Sequence, residues 1–170
     1  MNKSEKDFLF HAMKHIPVDG VVVEIGSWVG GSSVQLAEGI LKFKKNAELF
    51  CIDPWDNFCE ELETARNGRN VYELFREHMR SYKHNQIKDR AENVVERFKD
   101  ESIDFLFIDG DHSYEAVKRD IAMWLPKVKT GGIICGHDYG KKEYGVTEAV
   151  HETFGDAFQK SARSIWSVKK

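Results

Sequence analysis

Cysteine is scarce in this chain and follows no pattern. Cys51, Cys59 and Cys135 stand far apart in 170 residues. So scattered and odd a set offers neither a disulfide framework nor zinc-ligand spacing. Cys51 and Cys135 sit inside apolar runs, and all three are expected as reduced thiols of a cytoplasmic protein. An excess of one charge is also missing. The 25 Lys and Arg oppose 28 Asp and Glu, for a formal net charge of −3 with the signs interleaved. Neither nucleic acid nor an anionic membrane surface has an electrostatic footprint here. No apolar run approaches the roughly 20 residues of a membrane span. The opening MNKSEKDFLFHAMKHIP lacks the apolar core of a secretory signal. Internal repeats and low-complexity tracts are absent too. What is present, 41% hydrophobic and 31% charged residues, suits one domain with a real core.

Short apolar runs alternate with segments of helical period. The spacing predicts a helix over 4–16, capped by Ser4, with Phe8, Ala12 and Ile16 on one face. VVVEI (21–25) reads as a buried strand. A helix follows Gly30 and Gly31, with Val34, Ala37 and Leu41 inward. LFCID (49–53) is a second strand, and 57–70 a polar loop. Residues 71–82 form a helix showing Val71, Phe75, Met79 and Tyr82. A short strand over 86–88 and a helix near 91–98 follow. IDFLFID (103–109) is a strand, and 113–125 a helix with Tyr114, Val117, Ile121, Trp124 and Leu125 in phase. GGIICGHD holds the next strand, 145–155 a helix, and 157–168 an antiparallel pair at the sheet edge. Continuous apolar strands between amphipathic helices argue an α/β, three-layer Rossmann-like sandwich. Its sheet is mostly parallel and doubly wound, with an antiparallel edge hairpin. One domain spans 1–170: a helix and lead-in over 1–19, the core sheet over 20–138, and a C-terminal helix with edge strands over 139–170. Trp124 and Trp166 are expected in the core. His11, His15, His78, His84 and His151 are read as surface or packing residues, and the Lys141–Lys142 pair as solvated.

Such sheets bind ligands at the carboxyl ends of their strands, near the point where strand order reverses. Four strand ends carry acids or histidines: Glu24 to Gly31, Asp53 to Trp55, Asp109 to His112, and His137 to Tyr139. The richest is FLFIDGDHSYEAVKRDI, where three ionisable groups fall within four residues. Gly26, Gly30 and Gly31 let the backbone turn and approach a ligand, and the helix start behind them favours an anionic group. Their spacing is not G-x-G-x-x-G, which disfavours an NAD(P)-dependent oxidoreductase. Glu24 would repel a pyrophosphate but suits an ammonium group. Asp53 is placed for ribose hydroxyls, and Ser32 for a carboxylate. Amine, carboxylate and ribose together describe S-adenosylmethionine.

VVEIGSWVGGSS, IDPWD, DFLFIDGDHSYEAVKRDIAMWLPKVKTGG and GHDY, in that order, resemble the class I S-adenosylmethionine-dependent methyltransferases. The nearest branch is the small metal-linked O-methyltransferases, similar to macrocin and sugar O-methyltransferases and to methyltransferase family 24. The resemblance covers roughly residues 20–152. It implies that Glu24 contacts the methionyl amine, Asp53 the ribose, and Arg90 with Ala91 the adenine edge, with Trp55 on the adenine face. Trp28 and Ser32 would lie against the methionyl end, and Gly26, Ser27 and Gly30 would shape the loop around it. Asp109 would border the cofactor and, with His137 and Asp138, hold a divalent cation. His137–Asp138 departs from the Asp-Asn, Glu-Asp or Asp-Asp pair typical of the branch, and an imidazole tilts selectivity from Mg²⁺ towards Mn²⁺. The general base falls on His112 or Asp111. The resemblance implies O-methylation of a small-molecule or sugar hydroxyl. Nucleic acid and membrane are not expected as partners, and a homo-oligomer is left open. The competing reading is a non-catalytic S-adenosylmethionine-binding module.

Overall fold

All six residues of IDFLFI are buried, and the arrangement of the molecule follows from that strand. In the computed structural model, which describes residues 1–56 and 70–170, it is β4 (Ile103–Ile108). Its side chains alternate between two cores. Phe105 and Phe107 enter a cluster with Leu9, Met13, Leu36, Ile40, Phe75 and Met79. Leu106 and Ile108 enter another with Val94, Val117, Ile121, Trp124, Val146 and Val150. A strand apolar on both faces needs cover on both, and three layers result.

The elements in chain order are α1 (Lys3–Ala12), β1 (Val21–Ile25), α2 (Gly31–Lys42), β2 (Glu48–Asp53), α3 (Val71–Met79), β3 (Asn85–Lys88), α4 (Ala91–Val94), β4, α5 (Tyr114–Trp124), β5 (Val128–Gly136), α6 (Val146–Phe154), β6 (Gln159–Ala162) and β7 (Ile165–Lys169). Short 3₁₀ turns follow α4 and α5. The sheet order is β3-β2-β1-β4-β5-β7-β6. β1 to β5 run parallel, and β7 lies antiparallel to both β5 and β6. Strand order reverses between β1 and β4, so the crevice at their carboxyl ends is the switch point of the fold. This is the expected doubly wound sandwich with its antiparallel edge.

Several details differ from the sequence reading. α1 begins one residue earlier, capped by Asn2 rather than Ser4. The Asn2 side chain accepts the Glu5 amide, and Glu5 reaches back to the Asn2 amide, a reciprocal pair. α1 also stops at Ala12, although Met13 and Ile16 beyond it remain buried. In α2 the inward residues are Leu36, Ala37 and Ile40, whereas Leu41 is 61% exposed. Gly39 explains the rotation. A Cβ there would stand 2.4 Å from the Phe10 carbonyl oxygen, so α1 seats on the Gly39 side and turns Leu41 outward. The helix near 91–98 is a single α turn that tightens into 3₁₀. The loop expected over 57–70 falls, but for Asn70, outside the described residues.

Candidate active site

Left-handed backbone marks the rim. Among the described residues, the non-glycines with positive φ include Trp28 (43°), Trp55 (40°) and Asp138 (62°). These follow β1, β2 and β5. Tryptophan takes that conformation rarely and at a cost, and such positions cluster at functional sites.

The β1–α2 loop is fixed by contact with β4. Gly26 has φ +86°, and a Cβ on it would meet the Asp109 carbonyl oxygen at 2.1 Å. The two loops therefore touch at the switch point, which only glycine permits. Glu24, at the end of β1, is fully buried. Its Oε2 accepts the Ser27 hydroxyl at 2.7 Å and the Ser33 hydroxyl. Its Oε1 accepts no hydrogen bond among the described residues, with Ser32 and Cys51 close to the carboxylate. Burial raises the Glu24 pKa, against the pull of the three serines. A buried carboxylate oxygen without a donor is the feature a ligand ammonium would satisfy.

Asp53 joins two loops. Oδ2 accepts the Trp28 amide at 2.8 Å and Oδ1 the Trp55 amide at 2.7 Å. Burial raises its pKa, and those amides oppose the rise. Trp28 is 41% exposed beside the loop. Trp55 departs from the role expected of it. Its indole Nε1 donates to the Trp28 carbonyl at 2.7 Å, and its ring packs against Tyr72 and Phe75 with centroids 4.9 and 4.6 Å away. Left-handed backbone and that bond turn the ring into the core, where it is 4% exposed. Arg90 precedes α4 and pairs with Asp56 at 2.9 Å. Ala91 is buried. Both close the β3 end of the rim. Gly30 is the left-handed N-cap of α2.

The densest chemistry lies across β4 and β5. Asp109, His137 and Asp138 offer one ligand atom each, all within 4.8 Å of one another. His137 Nδ1 stands 2.8 Å from Asp138 Oδ1 and 3.5 Å from Asp109 Oδ1. His112 Nε2 faces Asp138 Oδ2 at 3.3 Å, and the Tyr144 ring lies over the imidazole, centroids 4.5 Å apart. A cavity about the size of a single water opens among Ile108, Asp109, Gly110, His112, His137 and Trp166. Burial, aided by the charges of Asp138 and Glu24, lifts the Asp109 pKa to about 7 although His137 pulls it down. Burial would also raise Asp138, but His137 and Lys141 hold it well below the usual carboxylate range. Desolvation lowers His137, yet Asp138, Asp109 and Glu5 outweigh it and the net shift is upward. Burial dominates at His112, whose pKa falls.

Asp111 is engaged elsewhere. Its Oδ1 accepts the Ser113 amide at 2.8 Å, just ahead of α5, and that bond, against some burial, lowers its pKa. Ser113 caps α5, its side chain accepting the Ala116 amide. Several neighbours were illegible in the sequence. Lys141, expected as solvated, pairs with Asp138 Oδ1 at 2.7 Å. Glu5 and Ser164 both reach His137 Nε2, at 3.3 and 3.2 Å. Ser33 joins Ser27 on Glu24. A second serine beside Ser32 was the only available hint. No local pattern links Glu5 to a residue 132 positions away.

Comparison with known proteins identifies the family and the fold. Residues 23–139 match the family model Methyltransf_24, described as a methyltransferase domain. The R132 protein of Acanthamoeba polyphaga mimivirus is 32% identical over 127 residues, 71% of this chain and 52% of that protein. The y4gI protein of Sinorhizobium fredii is 25% identical over 126 residues, 73% of this chain but 14% of its own length. The chain thus spans about half or less of these curated relatives. Among solved structures, an O-methyltransferase from Bacillus cereus in complex with SAH superposes with TM-score 0.70 at 15% identity, covering 100% of this chain and 82% of that one. The O-methyltransferase NovP gives 0.70 at 17% identity, covering 98% and 79%. An rRNA methylase from Streptococcus thermophilus gives 0.65 at 14%, covering 98% and 93%. The seven-stranded order, the glycine loop against β4 and the match over 23–139 lead to one conclusion: the chain belongs to the methyltransferase domain family of class I S-adenosylmethionine-dependent enzymes.

Proposed function

We propose that this chain transfers a methyl group from S-adenosylmethionine to a hydroxyl of a small molecule, with a divalent cation assisting. One observation carries the reading: Asp109, His137 and Asp138 converge within 4.8 Å, with His112 on the edge of the same group at 3.3 Å. The chemistry of the set fits a cation. Asp109 is held near pKa 7 by burial and by neighbouring negative charge, a repulsion that a bound cation would relieve. The buried Glu24 carboxylate, whose Oε1 accepts no hydrogen bond among the described residues, fits the ammonium of a methionyl group in the same way.

S-adenosylmethionine supplies an electrophilic methyl on a sulfonium, and a divalent cation would lower the pKa of an acceptor hydroxyl. The remaining work belongs to side chains of this protein. Glu24 and Asp53 hold the donor by its charged and ribose ends. Asp138, which can only accept, receives the hydrogen bond of His112 Nε2–H, which keeps the proton on Nε2 and leaves Nδ1 with the lone pair. His112 Nδ1 then removes the acceptor's proton, a step worth about 10²–10⁴-fold. Fixing donor and acceptor in near-attack geometry contributes further. Lys141 on Asp138 favours a second reading, in which its ammonium supplies the positive charge and no metal is needed.

A transfer assay with a panel of hydroxylated acceptors, run with Mn²⁺, Mg²⁺ or EDTA, tests the proposal. Turnover abolished by EDTA and restored by Mn²⁺ is the expected result. Turnover untouched by EDTA points to the Lys141 reading. A thermal shift with NAD and none with S-adenosylhomocysteine would sink both.

A further inference from the structure

Glu5 belongs to α1 and Ser164 to the turn between β6 and β7. Both lie outside residues 23–139, the span the family model matches. Yet they meet behind the rim. Glu5 is 3% exposed and Ser164 7%, and both stand against the far nitrogen of His137. Glu5 Oε1 accepts the Ser164 amide at 3.2 Å and the Ser164 hydroxyl at 2.5 Å. Its Oε2 accepts the Asn2 amide at 2.6 Å. With three donors on its two oxygens, Glu5 is an acceptor on both.

The hydrogen-bond directions follow from that arrangement. A carboxylate only accepts, and the single hydroxyl proton of Ser164 goes to Glu5. The remaining lone pairs of Ser164 Oγ and Glu5 Oε1 face His137 Nε2 at 3.2 and 3.3 Å. Nε2 therefore meets acceptors alone and carries a proton; Nδ1, which also faces carboxylates at 2.8 and 3.5 Å, is the nitrogen a cation between them would take. The ring is pinned from behind, with Nδ1 turned towards Asp109 and Asp138. Carboxylates behind ligating histidines fix tautomer and ring orientation in this way, and losing one costs about 10–100-fold in metal affinity.

We infer that Glu5 is a positioning residue. Through Nε2 it fixes the His137 imidazole so that Nδ1 is presented to Asp109 and Asp138, which makes α1 part of the site. Only the consequence for cation affinity depends on the cation reading proposed above; the orientation of the ring does not.

Two measurements on the full chain test this and keep the two readings apart. The first is a long-range ¹H–¹⁵N spectrum of the metal-free protein. A proton on His137 Nε2 is expected in the wild type, with the His137 ring signals displaced in Glu5→Gln. Glutamine still serves as the third helical residue of a capping box, so α1 should survive the change. The second is calorimetric titration with Mn²⁺. Glu5→Gln should bind about 10–100-fold more weakly. Asn2→Ala, which removes the side-chain cap but keeps the backbone donor to Glu5, should bind as the wild type does. Ring signals identical in wild type and Glu5→Gln, or an unprotonated Nε2 in the wild type, overturn the inference. So does Mn²⁺ affinity that is equal in the two, or that falls as far in Asn2→Ala. If the wild type binds no Mn²⁺ while the ring signals still move, the cation reading fails and the positioning role stands.

Discussion

His112 Nε2 stands 3.3 Å from Asp138 Oδ2, so the imidazole is oriented by a carboxylate from the neighbouring strand end. Its chain neighbour Asp111 gives its Oδ1 to the Ser113 amide. His112→Ala should therefore lower kcat by about 10²–10⁴-fold with S-adenosylhomocysteine affinity nearly unchanged. Asp111→Asn should keep turnover within a few-fold, because an amide oxygen can still accept from Ser113. The opposite ranking in a methyl-transfer assay would assign the proton transfer to Asp111.

Asp53 ties the Trp28 and Trp55 amides, the proposed function adds the ribose, and its removal should show both. In Asp53→Ala the Trp28 and Trp55 amides lose their acceptor, and the ribose loses its partner. Affinity for S-adenosylhomocysteine should fall by about 1–3 kcal/mol, and unfolding free energy by a similar amount. Calorimetry and denaturant titration measure the two separately. Unchanged affinity would remove Asp53 from the cofactor site.

Gly26 tests the contact between the β1 and β4 loops. An alanine there has positive φ and a Cβ 2.1 Å from the Asp109 carbonyl oxygen. The loops must separate, at a cost of about 2–4 kcal/mol. A lower Tm should accompany weaker S-adenosylhomocysteine binding. Gly131→Ala makes a useful comparison: it also has positive φ, but a Cβ there meets nothing within 4 Å, so only the backbone strain remains.

Asp120 makes stability depend on pH. It is 4% exposed on α5, and burial raises its pKa from 3.8 to about 6, with Arg119 opposing and Glu92 adding to the rise. The folded state binds this proton more tightly than the unfolded chain. The group's contribution is thus most favourable below pH 3.8 and is lost as pH rises through about 6. Above that, a buried carboxylate is ionised with Arg119 as its ion-pair partner among the described residues, at 3.6 Å. Asp120→Asn should match the wild type near pH 4 and exceed it at pH 8 by up to about 2 kcal/mol. Equal stability at pH 8 would mean that Arg119 compensates the charge in full.

Along the chain, period and composition sufficed for the elements. β4 and α5 were legible because continuous apolar runs and a 3.6-residue spacing are local properties that burial imposes on sequence. Misreadings fell where a partner element decides. Two overlapping apolar stripes run along α2, and only the seating of α1 on Gly39 selects the one that leaves Leu41 in solvent. Asn2 and Ser4 both suit a cap, and the reach of Glu5 to the Asn2 amide selects Asn2.

The site divides along the same line. Sequence alone determined which strand ends carry Glu24, Asp53, Asp109, His112, His137 and Asp138, because a parallel sheet brings those ends to one edge. Tertiary structure decided what each side chain faces. It turned Trp55 into the core, set His112 against Asp138 and set Glu5 behind His137. The physical reason is reach. Hydrophobic patterning is written within a few residues and survives in the sequence as a period. A hydrogen bond or ion pair between residues 132 positions apart leaves no such period and exists only once the sheet has closed the distance.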